Sequence, residues 1–202
     1  MRVVRSASYS RSALSASFIA LAILSVTNAA QNSNAPQKPA ANPKTSIKNF
    51  GCVNEKFYRG AQPQGRDYHA LAAMGIKTVI DLQREGEGDE QRMVEAAGMK
   101  FVRIPMSDKS YPSPQVADEF LSLVNDPANQ PVFVHCRGGR HRTGAMTALY
   151  RITSDGWSAE RAFVEMKQYD FDYGFGHTPL RDYVFNYYSQ MDPKGVVVDS
   201  KK

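Results

Sequence analysis

The stretch PVFVHC at 131–136 is apolar from its first residue to Val134 and ends on a histidine and a cysteine. A strand with one wet face alternates polar and apolar residues. An unbroken run is the pattern of a strand covered on both faces, as in parallel sheets. Such a sheet needs helices on both sides, so this run points to an α/β architecture. The flanking segments agree. FGCV and KFYR around Asn54-Glu55 read as a short hairpin, and IKTVIDL and KFVRIP read as strands. RDYHALAAMG and DEQRMVEAAG read as helices ended by Gly75 and Gly98. Ser113 as N-cap and Pro114 at the first helical position open a helix through FLSLV. Three more helical stretches come after the run: GAMTALYRI, SAERAFVEMKQY and one opened by Thr178 and Pro179. This order predicts an α/β domain with a mainly parallel central sheet flanked by helices, without internal repeats.

The run leads directly into RGGRHRTGAM, with Arg137, Arg140, His141 and Arg142 and no acid. This segment lies where a buried strand ends and a helix begins, the place where open α/β folds bind ligands. A loop carrying Gly138 and Gly139 can turn its backbone N–H groups inward at a helix N-terminus and receive an anion. Arg142, six positions after Cys136, can return over the sulfur, and its planar fork matches two phosphate oxygens. The same field should draw the thiol below the value of about 8.5 usual for a free cysteine. Cys136 is then a thiolate poised to attack phosphorus. The positive charge is local. The chain carries 25 basic and 20 acidic residues for a net +5, but residues 1–48 hold six of the bases and none of the acids. The body is left with 19 bases against 20 acids. That balance gives no footprint for nucleic acid, which needs a broad basic face.

The motif H-C-x5-R-[S/T] in HCRGGRHRTG resembles the cysteine-dependent protein tyrosine phosphatase superfamily. It is most similar to the atypical dual-specificity phosphatases of plants and fungi and their bacterial relatives. The segment NFGCVNEKFYRGAQP resembles the same group upstream, and the likeness covers roughly residues 49–190. It implies a phosphatase fold and hydrolysis of phosphate monoesters. By it, Cys136 is the nucleophile and Arg142 the phosphoryl clamp. Thr143 donates to the leaving sulfur, and His135 orders the loop and helps keep the thiol ionised. The amides of Arg137, Gly138, Gly139, Arg140 and His141 cradle the phosphate. No cofactor or metal is implied, since arginine and amides meet the phosphoryl charge. The family's general acid is an Asp on a mobile loop upstream of the cysteine. Here IPMSDKSYPS offers Asp108, with Asp81 and Asp172 as weaker substitutes, and Asp81 alternatively a holder of the catalytic loop. Asp108 is equally readable as a turn-making surface residue.

Arg137, Arg140 and His141, with Lys109, read either as a solvated rim or as a widened positive pocket. The second reading favours inositol polyphosphates over a lone phosphotyrosine or phosphoserine in a protein. A phosphate-binding pseudophosphatase is the alternative function, although Cys136, Arg142 and Thr143 are all present. Arsenate reduction fits less well, because the cysteine loop comes late and only Cys52 is spare, and sulfur transfer fits less well because such loops generally lack the R-T-G run seen at 142–144.

Residues 1–29 join Arg2, Arg5 and Arg11 to the apolar SFIALAILSV and the small-residue TNAA. That is the order of a secretory signal peptide, and it implies a periplasmic or secreted protein without stable membrane insertion after cleavage. An uncleaved anchor is the alternative. Residues 30–48 read as a flexible linker, 49–190 as the phosphatase domain and 191–202 as a tail. Export would expose Cys52 and Cys136 to oxidising conditions, where a disulfide between them would silence or protect the thiol.

Overall fold

A computed structural model describes residues 45–172, 174 and 176–191. Its elements run β1 (Gly51–Asn54), β2 (Phe57–Ala61), α1 (Asp67–Ala73), β3 (Thr78–Gln83), α2 (Glu90–Ala96), β4 (Lys100–Met106) and α3 (Pro114–Asn125). They continue with β5 (Val132–Cys136), α4 (His141–Asp155), α5 (Ala159–Gln168) and α6 (Thr178–Ser189). The apolar run is thus β5, the central strand of a sheet ordered β1-β2-β5-β3-β4. It pairs in parallel with β2 on one side and β3 on the other; β3–β4 is parallel too, and only the β1–β2 hairpin is antiparallel. All five residues of β5 are buried, as the absence of alternation requires.

Side chains of β5 alternate between two cores. Val132, Val134 and Cys136 face a large core with α3, α4, α5 and α6, whereas Phe133 faces a smaller one with Tyr68, Leu71 and Val94 of α1 and α2. Helix α4 is buried from Thr143 through Ile152, because α3, α5 and α6 all pack on it. Arg151 ties α4 to α5 through Glu165 (2.7 Å) and closes a second bond to Asp155 one turn away (2.7 Å). Ser113 Oγ accepts the Val116 N–H and Pro114 opens α3, as the sequence signals predict. Trp157 is only half-buried; it lies between the guanidiniums of Arg151 (4.3 Å) and Arg161 (3.9 Å), so it seals the α4–α5 junction from outside. Tyr188 on α6 is exposed.

Composition put residues 45–48 in the linker, but they pack on the domain. Ile47 is buried, Ser46 donates from N and Oγ to Asp67, and the Lys48 carbonyl accepts the Ala61 N–H. A single apolar side chain with three polar contacts anchors a segment whose composition is otherwise that of a tether. The signal-peptide reading of residues 1–29 lies outside the described residues, as does most of the tail from 191 onward. Among the described residues, no helix is long and apolar enough to cross a membrane.

Candidate active site

Parallel pairing brings Ala61 of β2 beside Cys136 at the carboxyl end of β5. The chain then turns through 137–140 into α4, and the turn is shaped by what its carbonyls do. Arg137 O accepts the Gln62 N–H (3.4 Å), Gly138 O accepts from Asn49 Nδ2 (2.9 Å) and Gly139 O accepts from Arg59 Nη2 (2.8 Å). Three successive carbonyls are held by the scaffold behind the loop. In a trans peptide the C=O and the next N–H point in opposite directions. The amides of Gly138, Gly139 and Arg140 therefore face the other side, where the cavity lies. The first-turn amides of α4 add donors that have no intrahelical acceptor. Gly139 has φ 66°, and a Cβ there would meet the backbone of Gly60 and Ala61, so the turn admits no side chain at this position.

The cavity measures about 310 Å³ and is lined by Asp108, Cys136, Arg137, Gly138, Arg140, His141, Arg142 and His177. Cys136 lies buried at its floor. Arg142 Nη1 reaches the Met106 carbonyl at 3.5 Å, while its buried Nε has no partner. Thr143 is fully buried beneath the loop with its hydroxyl unpartnered. Arg137 and Arg140 are exposed at the rim, and His141 is half-buried beside them. Burial first, then the neighbouring His177 and Arg140, lower the His141 pKa to about 4, so this rim residue is neutral at physiological pH.

Asp108 stands in the cavity wall on the loop after β4. Asp81 does not: it is buried under the sheet, bonded to Arg103 Nε (2.8 Å) and to the Gln83 N–H (2.8 Å). Asp172 is exposed and caps a local turn through the Gly174 N–H. Lys109 is not part of the lining.

His135, to which the resemblance gives the ordering of the loop and help in keeping the thiol ionised, lies behind the sheet. Strand alternation sends its ring to the opposite face from Cys136. There Nε2 lies 2.9 Å from Glu90 Oε1, Nδ1 lies 3.9 Å from Asp81 Oδ1, and the ring stacks on Phe133. Glu90 also accepts from Gln62 Nε2 (2.7 Å), whose backbone N–H holds the loop. His135 is thus connected to the loop through Glu90 and Gln62. Asp81, Glu90 and His135 bring ligand atoms within 4.8 Å of one another, a spacing that could hold a metal ion. Arg103, 2.8 Å from Asp81 and 4.0 Å from Glu90, already supplies a cation to both carboxylates, so the group reads as an internal ion network.

Cys52 is out of reach of Cys136. It sits opposite Tyr58, which sits opposite Phe133, three residues short of Cys136 and two strands away. Strand spacing and rise put the two Cα atoms about 14 Å apart. A disulfide needs about 7 Å or less. The Cys52 thiol instead donates to the Asn54 carbonyl at 3.1 Å, and burial raises its pKa.

A family model described as a DSP-PTPase phosphatase fused to NAD+ kinase matches residues 42–177. The chain belongs to this family. As a DSP-PTPase it is 27% identical over 135 residues to the dual specificity protein phosphatase TpbA of Pseudomonas aeruginosa, a match covering 66% of this chain and 61% of that one. It is 28% identical over 129 residues to the inositol diphosphatase SIW14 of Saccharomyces cerevisiae, covering 61% and 46%. The match therefore spans about half to three fifths of these curated relatives. Among solved structures, P. aeruginosa TpbA superposes with a TM-score of 0.62 at 26% identity, covering 74% of this chain and 89% of that one. The core catalytic domain of the PP-IP phosphatase SIW14 in complex with citrate gives 0.60 at 25% identity, covering 68% and 84%. The five-stranded α/β sheet of this DSP-PTPase is the fold of these neighbours.

Four residues of the site escaped sequence reasoning. Arg59 sits in the upstream Y-R pair, yet an arginine in a strand reads as solvated, whereas it is fully buried over the Tyr169 ring at 4.0 Å. Burial lowers its pKa against the attraction of Glu165, Tyr169 and Cys136, which brings a guanidinium's field to the sulfur from behind. Asn49 and Gln62 carry no motif of their own. His177 precedes the Thr-Pro helix start and lies 41 residues beyond Cys136, with no local pattern to connect the two.

Proposed function

We propose that this DSP-PTPase hydrolyses phosphate monoesters through a cysteinyl-phosphate intermediate. One observation carries the reading: Cys136 and Arg142 share a small cavity behind which three successive loop carbonyls are tied away, leaving donors toward the substrate. The Cys136 sulfur attacks phosphorus as the ester P–O bond breaks. Arg142 and the amides of 137–141 bind the equatorial oxygens, whose charge they meet better in the transition state than in water. Asp108 in the cavity wall gives its proton to the leaving oxygen. Water then opens the S–P bond, with the Thr143 hydroxyl donating to the departing sulfur. The substrate's phosphate needs no cofactor in this scheme. Cys136→Ser should abolish release of phosphate, and Asp108→Asn should slow it most for esters with basic leaving groups. Binding of phosphate without turnover by the wild type would instead establish a pseudophosphatase.

The rim supports a multiply phosphorylated substrate over an isolated phosphotyrosine. Arg137 and Arg140 stand exposed at the edge of the cavity. Arg137 also borders a second cavity of about 380 Å³ that Lys48 lines, though Asp67 and Glu87 line it too. The relatives' names span both classes, protein phosphatase and inositol diphosphatase. A panel of phosphotyrosine peptides, phosphoserine peptides and inositol polyphosphates decides the matter; a pure phosphopeptide preference overturns the polyanion reading. We further infer export directed by residues 1–29, on the arginine-then-apolar order of that segment. The N-terminal sequence and compartment of the protein from expressing cells test it: a full-length chain in the cytoplasm rules it out.

A further inference from the structure

His177 is the N-cap residue of α6, and it lines the same cavity as Cys136. Its Nδ1 lies 3.0 Å from the backbone carbonyl of Asp108. A carbonyl only accepts, so Nδ1 carries the hydrogen and donates. The face of the same ring lies on His141, with centroids 3.5 Å apart and planes 14° from parallel. His141 is the first residue of α4, directly after the phosphate-binding turn. One imidazole therefore touches both the loop that bears Asp108 and the helix start that ends the cradle. Because His141 is held neutral, the stack carries at most one charge.

The same helix grips the loop a second time. Asn186 Nδ2 donates to the Tyr111 hydroxyl at 2.7 Å, and the Tyr111 ring meets Tyr183 edge-on at 5.9 Å. Within the loop, Lys109 N–H bonds only locally, to Ser107 Oγ at 3.0 Å. The loop thus hangs on α6 at Asp108 and again at Tyr111, and His177 holds the end nearer the sulfur.

We propose that His177 is a positioning residue for protonation of the leaving group: its Nδ1–H holds the Asp108 backbone, and its stack on His141 sets that backbone against the cradle. The inference rests on Asp108 being the general acid. Proton delivery needs heavy-atom contact within hydrogen-bond reach, so a loop displaced by an ångström loses that step while attack by sulfur survives.

The test compares kcat/KM, which reports the sulfur-phosphorylation step, on p-nitrophenyl phosphate and on phenyl phosphate. Nitrophenolate leaves almost unaided; phenolate is far more basic and depends on the acid. His177→Phe keeps an aromatic ring but no donor, and His177→Asn keeps a donor near the Nδ1 position. His177→Phe should lose at least tenfold more on phenyl phosphate than on p-nitrophenyl phosphate, and His177→Asn should recover part of that selective loss. Asp108→Asn should show the same selectivity, and the double variant His177→Phe with Asp108→Asn should be no more selective than Asp108→Asn alone. Equal losses on both esters for His177→Phe and His177→Asn, with Asp108→Asn selective, overturn the role of His177 alone. An Asp108→Asn variant without selectivity overturns the acid assignment and this inference together.

Discussion

Arg59 donates from Nη2 to the carbonyl of Gly139 at 2.8 Å, from a side chain that no solvent reaches. The bond fixes the middle of the turn between β5 and α4, so a charged residue buried behind the loop decides which way the loop's amides face. It also explains why a lone guanidinium tolerates burial: it has a carbonyl at one nitrogen, the Tyr169 ring beneath it and the electrostatic attraction of Glu165 nearby.

Arg59→Lys keeps the charge but neither the fork nor the flat stack. Leaving the Gly139 carbonyl unsatisfied costs about 1–3 kcal/mol. If that loss falls on the aligned loop, kcat/KM drops by about 5- to 150-fold. Steady-state kinetics on p-nitrophenyl phosphate, with circular dichroism showing a retained fold, checks this. An unchanged rate would mean that the turn holds its shape without Arg59.

Gly139→Ala places a methyl group against the backbone of Gly60 and Ala61 at a positive φ. The left-handed conformation alone costs an alanine about 1–2 kcal/mol, and the contact forces the turn away from β2 besides. The variant should lose inhibition by inorganic phosphate or vanadate along with activity, and unfold at lower urea. Gly138→Ala is the comparison, because its Cβ would meet only the flexible Arg140 side chain; it should lose less.

The depressed pKa of His141, about 4 against an ordinary value near 6.5, makes stability fall with acid. Above pH 6.5 the residue is neutral folded or unfolded and contributes nothing. As pH drops from 6.5 toward 4, the unfolded chain takes up a proton that the folded one refuses, and unfolding becomes easier. With the ring half-exposed, solvent screening reduces the effect to about 1–2 kcal/mol. Urea midpoints at pH 7 and pH 4.5 should lie closer together in His141→Asn than in the wild type.

The register that separates Cys52 from Cys136 predicts two free thiols after exposure to air. Thiol counting on the denatured chain should return both. Cys52→Ala should leave the peroxide sensitivity of Cys136 unchanged. A bridge between the two cysteines in the wild type would require β1 and β2 to leave the sheet.

Much of the site was legible because it is contiguous. Cys136, the turn glycines, Arg142 and Thr143 fall within eight residues, between a run with the pattern of a covered strand and a stretch with the pattern of a helix. Local chemistry and hydrophobic period therefore pointed to the α/β class and the strand–turn–helix, and singled out Cys136 and Arg142 as candidates. Asp108 was legible as a candidate because it follows the strand KFVRIP, but that strand does not neighbour β5: it is the edge strand β4, with β3 between the two, and only the loop after it brings Asp108 to the cavity. Period-2 alternation also places His135 and Cys136 on opposite faces of β5. What the tertiary structure alone decided is everything that reaches the turn from elsewhere. Asn49, Arg59 and Gln62 hold its carbonyls, His177 meets it across 41 residues, and Cys52 is kept from it. These contacts depend on strand order and register, which arise from the packing of whole elements rather than from any short pattern of residues.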